Sequence, residues 1–343
     1  RTARRVGHRA APQGTTPMSR LATRLGLSVM VLVAVLTACA TDELTRTPPG
    51  LAPAQGTALT AEWAEIAAGL NVSITDTTAT PCHRGEPSCL AAVVTEMEAR
   101  LEARPCAHTS PFAFTYLEMT RGVANEVASF DDAALISVVD ARFAQQYFDA
   151  FDNWQLGRIE DVPAAWQMAF ATADRQQSSA ALDLILGMNA HISRDLAYIV
   201  ATAVASDPNL REQPDDYLRV NDVIAEVKSP MLANAADRFD PNLFLLDTDL
   251  TAQGAPDPVT LIADWRAFSF DLGRRLALAE TSAQTDAVIA EIERTSTAAA
   301  AVLITAEGAE GTAELAGAVA GLPQGDALFL DAAGRRNFCE RAR

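Results

Sequence analysis

The chain has 343 residues, with 27 Lys and Arg against 44 Asp and Glu, and a formal charge of −17. That balance excludes a nucleic-acid binder, whose grip rests on phosphate neutralisation by basic side chains, and an electrostatic hold on anionic lipid. Lys228 is the only lysine, which excludes most lysine-based mechanisms.

Residues 1–17 are Arg-rich, contain no acid and precede the first methionine, Met18. They read as an extension ahead of the true start. Residues 18–39 read as a lipoprotein export signal. Arg20 and Arg24 form a positive flank, Leu25 to Leu36 an apolar core, and Leu36-Thr37-Ala38-Cys39 matches a lipobox. The apolar run spans about 16 residues, where a membrane-crossing helix needs roughly 20. Cys39 is therefore the expected lipidation site, and residues 40–57, polar and Pro-rich, the tether. Several acyl chains on one cysteine hold a protein firmly, each buried methylene contributing about 0.8 kcal/mol. The expected location is extracytoplasmic, with the cell membrane as partner through the lipid. Residues 1–39 carry six Arg and no acid, so the mature part is more acidic still.

Four cysteines follow the lipobox: Cys82, Cys89, Cys106 and Cys339. In an exported chain an even count suggests two disulfides, with three pairings open. Cys82 and Cys89 bracket a loop-like hexapeptide and suit a local ring, in which case Cys106 joins Cys339. A Cys/His metal site is disfavoured, because adjacent Cys82-His83 lacks the spacing of zinc knuckles.

From residue 58 onward the periodicity is helical. Helices are predicted over 60–70, 87–103, 110–129, 131–156, 161–173, 178–204, 214–238, 257–279 and 283–305. Asp131-Asp132 and Ser178-Ser179 supply starts, and Pro163 and Pro258 sit in first turns. Gly157, Asp207-Pro208, Asp240-Pro241 and Gly254 supply stops. The Gly-rich tail from 306 to 343 allows one short strand or helix at 327–330. Short connections between long helices predict a single domain over 58–343, all-α, an antiparallel helical bundle of about eight to nine helices.

The segment 181–199, ALDLILGMNAHISRDLAYI, carries the candidate chemistry. At 100° per residue Leu184, Met188, His191, Asp195 and Tyr198 form one stripe, and Ile185, Asn189, Ile192, Leu196 and Ile199 another. Both are mostly apolar, so the helix is expected to be buried on most sides, with Asn189, His191 and Asp195 needing partners. Four residues apart, Asp195 can orient the His191 imidazole. That arrangement suits a general base, and equally a buried network that only fixes helix register. Histidine is scarce here, which draws attention to His191. Asn189, Asn221 and Tyr198 are the expected ligand-binding residues, with Asn221 meeting His191 or Asn189 across a helix contact. Asp216 and Arg219 read as a surface ion pair. Phe112, Tyr116, Met119 and Val123 read as a core stripe. Tyr147, Phe148, Phe151 and Trp154 read as an aromatic cluster that either walls a pocket or, the favoured reading, fills the core, and Trp166 and Trp265-Arg266 as packing anchors. No GxSxG, SxxK, HExxH, P-loop, GxGxxG, EF-hand, paired ExxH, DDxxD or CxxCH pattern occurs, so no metal or other cofactor is expected.

Taken in order, FTYLEMTRGVANEV, FAQQYFDAFDNW, VPAAWQMAF, LILGMNAHISRDLAYIV, DDYLRVNDVIAEV and DWRAFSFDLGRRLA resemble the domain-of-unknown-function 5995 family over about residues 105–280. GMNAHI-x-x-DL with a downstream VND is the most specific part. An LP pair commonly closes that motif, whereas here Leu196 precedes Ala197. The resemblance implies a helical fold and interest in Asn189, His191, Asp195 and Asn221, but no reaction. Three functions stay open. One is an enzyme with His191 as base and Asp195 as its orienting partner. Another is a non-catalytic lipoprotein enclosing a small apolar molecule. The third is an envelope scaffold whose polar network is purely structural.

Overall fold

A computed structural model describes residues 86, 88–212, 214–247, 258–319 and 338, with side chains in the long last helix described as far as 305. The signal with Cys39, the tether, the helix predicted at 60–70, Cys82, Cys339 and the segment 327–330 lie outside the described residues.

Eight helices and no strand form the described part, as the helical periodicity predicts. They are α1 (Ser88–Ala103), α2 (Ser110–Glu126), α3 (Ala133–Gln155), α4 (Ala164–Asp174), α5, α6 (Asp215–Arg238), α7 (Pro258–Ala277) and α8 (Ser282–Val319). Helix α5 is continuous but mixed: α-helical over Ala180–Met188, π-helical over Asn189–Asp195, and α-helical again over Leu196–Ser206. The starts follow from capping chemistry. The Asp132 carboxylate accepts the Leu135 N–H at 2.9 Å, and the Ser179 hydroxyl accepts the Leu182 N–H at 3.1 Å. Each satisfies an N–H that the first helical turn leaves open. After α3 the chain turns at Gly157, whose φ of +71° suits glycine.

Helix α5 runs through the centre. Its π-helical segment packs against α3, α4, α7 and α8, and its first part against α2. All seven residues from Asn189 to Asp195 are buried. A single stripe could not bury seven consecutive residues, so the surroundings close over every side of the helix. Neighbours also bind its backbone and side chains: Ser269 on α7 donates to the Ile192 carbonyl at 2.6 Å, and the Asn189 amide donates to the Ser296 carbonyl on α8 at 2.8 Å. Against the second half of α5, Gly273 lets α7 come unusually close. A Cβ there would lie 2.4 Å from the Ala197 carbonyl oxygen and 2.7 Å from Val200 Cβ.

Three expectations change. The uniform 100° spacing fails across residues 189–195, where the Leu196 N–H reaches back five residues to the His191 carbonyl. The last helix runs on to Val319 rather than stopping near 305. Asp216 and Arg219 are not an ion pair. Asp216 is buried and accepts the N–H groups of Asp131 (3.1 Å) and Asp132 (2.7 Å), while Arg219 bonds Ser129 and lies over the Phe130 ring. Both residues clamp the turn between α2 and α3.

Candidate functional site

The π-helical turn sets five charged or polar side chains into the core, those of Asn189, His191, Ser193, Arg194 and Asp195. Asp195 Oδ1 accepts from Arg194 Nη1 at 2.7 Å, and Asp195 Oδ2 from Trp166 Nε1 on α4 at 2.9 Å. Arg194 Nε donates to Glu293 Oε1 on α8 at 2.8 Å, and the Tyr198 hydroxyl donates to the same oxygen at 3.0 Å. The guanidinium also lies over the Tyr198 ring at 4.8 Å. Buried charges persist only when paired and hydrogen-bonded, and this chain of partners meets that demand.

His191 stands at the end of the chain. Its Nδ1 lies 3.2 Å from Asp195 Oδ2, so the carboxylate fixes the proton on Nδ1 and leaves Nε2 with a lone pair. Phe143 stacks on the ring with centroids 3.4 Å apart and planes 7° apart, and Tyr116 meets it edge-on at 4.4 Å. Burial pulls the imidazole pKa below its ordinary value, while the hydrogen bond and charge of Asp195 act the other way. Nε2 is buried and has no hydrogen-bond partner.

His191 lines a cavity of about 100 Å³ between α2, α3, α5, α6 and α7. Much of its wall is apolar, with Met119, Val139, Phe143, Met188, Val220 and Ile262 among the lining side chains. One water needs roughly 10–15 Å³ of such space, and a dry cavity of about 150 Å³ holds benzene. The space therefore suits several waters or an organic molecule of about half a dozen heavy atoms.

Polar groups interrupt the apolar wall, and five of their atoms lack partners: Tyr116 Oη, Thr120 Oγ1, Asp140 Oδ2, His191 Nε2 and Arg266 Nε. Burial raises the Tyr116 pKa well above the usual value, with the charges of Asp140 and Asp195 adding to it and Thr120, one turn on along the same helix, lowering it. Asp140 is pushed from 3.8 up to about 7 by burial, against the nearby positive charge of Arg266. Arg266 is held by Tyr217 in a reciprocal pair. Arg266 Nη2 donates to the Tyr217 carbonyl at 2.8 Å, and the Tyr217 hydroxyl donates to the Arg266 carbonyl at 2.7 Å. Its guanidinium carbon sits 4.4 Å from the Tyr217 ring centroid. Burial lowers the Arg266 pKa, with Tyr217 and Asp140 opposing.

Of the residues marked from sequence, His191 and Asp195 come together, with Asp195 behind the imidazole and His191 at the cavity. Asn189, Asn221 and Tyr198, expected to bind ligand, do not line it. Asn189 is turned to Ser296, Tyr198 to Glu293, and no hydrogen bond joins Asn221 to His191 or Asn189. The stripe Phe112, Tyr116, Met119 and Val123, expected as solid core, is a cavity wall. Tyr147, Phe148 and Phe151 lie in the core beside Trp166 and Phe170, as the aromatic pattern suggested. Asp140 and Arg266 carry the opposing charges of the site, and sequence reasoning missed the first and took the second for a packing anchor. A signal existed: each is a lone charge within an apolar stripe, Ile136-Asp140-Phe143-Tyr147 on α3 and Ile262-Arg266-Phe270 on α7. Among the described residues no three His, Cys, Asp or Glu side chains gather as metal ligands.

A second buried histidine has a different setting. His108 Nδ1 lies 2.7 Å from Asp183 Oδ2, and Ser178 Oγ lies 2.5 Å from Asp183 Oδ1 and 3.3 Å from the same ring nitrogen. The ring of Phe338 covers the imidazole at 4.4 Å.

No curated protein and no solved structure matches the chain. Residues 90–306, a wider stretch than the motifs at 105–280, match the family of unknown function DUF5995, and the chain belongs to that family.

Proposed function

We propose that this is an exported lipoprotein, held at the outer face of the cell membrane through Cys39, whose helical domain binds a small, largely apolar molecule with a polar head in the cavity beside His191. The observation that carries the binding reading is the convergence of five unpartnered buried polar atoms on one cavity. Buried polar groups are nearly always hydrogen-bonded, and a cluster of exceptions marks a place where a ligand or ordered water completes the set. The lipobox and the Pro-rich segment after it support the anchor.

Two disulfides belong to the same reading. From Cys89 to its end at Ala103, helix α1 runs about 21 Å along its axis, and Cys106 follows three residues later, so the two cysteines lie beyond the roughly 7 Å that a disulfide can span between Cα atoms. That leaves two pairings. Phe338, the neighbour of Cys339, packs on His108, two residues past Cys106. This favours Cys106 with Cys339, and hence Cys82 with Cys89.

The pocket is tested with phenol as probe, on the full chain in detergent, by saturation-transfer NMR. The expected result is transfer to phenol that disappears in Val220→Phe, which fills the cavity from α6. Equal transfer in that variant overturns the pocket and leaves the scaffold reading. Mass spectrometry of the membrane form tests the anchor, with a diacylated N-terminal Cys39 expected, and non-reducing peptide mapping tests the pairing.

A further inference from the structure

We propose that the cavity is an acid–base site that enolises a small, largely apolar ketone, with His191 Nε2 taking an α-proton while the Asp140 carboxyl group hydrogen-bonds the carbonyl oxygen. The proposal rests on the pocket reading and names its chemistry. Four observations carry it.

First, no Ser, Cys or Lys lines the cavity. Of the hydroxyls there, Thr115 is engaged with the carbonyls of Pro111 and Phe112 at 3.0 Å. Thr120, the other threonine there, has no base hydrogen-bonded to its hydroxyl, so covalent catalysis lacks an activated nucleophile, whereas proton transfer has His191. Second, His191 is built as a base: one nitrogen is held by Asp195 and the other is buried, unpartnered and at the cavity. The imidazolium formed on proton transfer gains the Asp195 charge, which Arg194 and Trp166 keep in place. Asp195 is thus a positioning residue. Third, Asp140, Tyr116 and Arg266 each bring an unsatisfied polar atom to the same cavity. An oxygen that gains negative charge in a dry site is stabilised most by such preset donors. Fourth, the apolar wall suits a hydrocarbon body better than a hydrated substrate.

The step balances without a co-reactant. The α C–H bond breaks and an N–H bond forms at Nε2. The C–H electron pair becomes the new C=C bond, and the carbonyl π pair moves onto oxygen, facing the Asp140 and Tyr116 protons. Return of the proton to the same carbon exchanges it with solvent, and return to a vinylogous carbon isomerises an enone.

Four titratable or charged groups share the cavity with Asp140: Tyr116 on α2, His191 on α5, Tyr217 on α6 and Arg266 on α7. His191 faces Asp195, Tyr116 and this same set. With Asp140 raised to about 7, its proton is present below that pH and lost above it. His191 stays a base down to its lowered pKa. Activity is therefore greatest in mildly acidic solution and falls as pH rises through about 7.

The test is deuterium incorporation into cyclopentanone in D2O, followed by proton NMR with the full chain in detergent. The expected result is exchange well above that in an equal concentration of free imidazole, lowered about 100-fold or more in His191→Gln. Asp140→Asn keeps an N–H donor without a titrating proton, so it exchanges more slowly and loses the fall through pH 7. Phenol binding by each variant confirms that its pocket is intact. Cyclopentanone that displaces phenol yet exchanges no faster than with imidazole, or exchange that survives His191→Gln, overturns the proposal and leaves the pocket standing. Failure of cyclopentanone to displace phenol overturns the ketone class in the same way. Failure of phenol itself to bind overturns the pocket reading.

Discussion

Two buried histidines, each set on a carboxylate, divide the core into two kinds of polar site. Around His108 the hydrogen bonds close on themselves: Asp183 takes the ring nitrogen and the Ser178 hydroxyl, and Phe338 lies over the top. Around His191 the bonds close on one side only. Asp195, Arg194, Glu293, Trp166 and Tyr198 satisfy one another, while Nε2 and four atoms across the cavity are left over. In the fold the two look alike, a histidine and an acid brought together, although His191 and Asp195 stand four residues apart and His108 and Asp183 stand 75 apart. What separates them is whether the folded protein itself supplies every partner. A closed network stabilises or positions, and an open one is shaped for something that is not part of the chain.

The comparison breaks first where charges are buried deepest. Asp195→Ala leaves Arg194 with Glu293 as its one remaining carboxylate, and leaves Trp166 Nε1 and His191 Nδ1 without an acceptor. Removing one partner of such a pair costs about 3–5 kcal/mol, read as a lowered midpoint in urea unfolding. A loss below about 1 kcal/mol would mean that the network is not holding α5. At the closed site, Asp183→Ala strips His108 and Ser178 of their acceptor. The expected loss is about 2–3 kcal/mol, with phenol binding unchanged because His108 and Asp183 do not line the cavity. Weakened binding in that variant would join the two sites and undo the distinction.

Sequence showed much of this scaffold and little of the site. The helices were legible because apolar spacing and caps agree, as at Asp132 and Ser179. The π-helical turn was not, since an assumed 100° per residue cannot register one extra residue per turn. The pairing of His191 with Asp195 survived that error because it is local, a four-residue step that stays about one turn in either geometry. Asp140 and Arg266 were hidden for the opposite reason. Their meeting depends on how α3 and α7 pack against α2 and α5, and no spacing within one helix reports it. Asp216 teaches the same lesson, because the N–H groups that it accepts lie 84 and 85 residues away.

Smaller effects sharpen the contrast at the open site. Asp140 has a folded pKa of about 7 against 3.8 for the free group. Between those values the folded state binds more protons than the unfolded one, so this residue lowers stability as pH rises from about 4 to 7, and the penalty stays constant above. Asp140→Asn should therefore be more stable than wild type at pH 8, by at most about 4 kcal/mol, and equal to it near pH 3. His191 acts in the other direction, its lowered pKa costing stability below about 6.5. The difference between wild type and Asp140→Asn, measured by urea unfolding across that range, isolates the carboxyl group. A flat difference would show that the cavity does not disfavour the carboxylate.

The smallest change in stability is expected from His191→Phe. The new ring keeps the contacts with Phe143 and Tyr116, and Asp195 keeps Arg194 and Trp166 as donors. One hydrogen bond is lost, and one orphaned nitrogen is removed with it. These terms are each about 1 kcal/mol and opposite in sign, so the net shift stays within about 1 kcal/mol. His108→Phe, at the closed site, removes the ring nitrogen that Asp183 and Ser178 share and gives back no orphan, so its loss is larger. Equal losses for the two substitutions in parallel unfolding curves would mean that the unpaired nitrogen of His191 has a partner after all, and the open site would then be no different from the closed one.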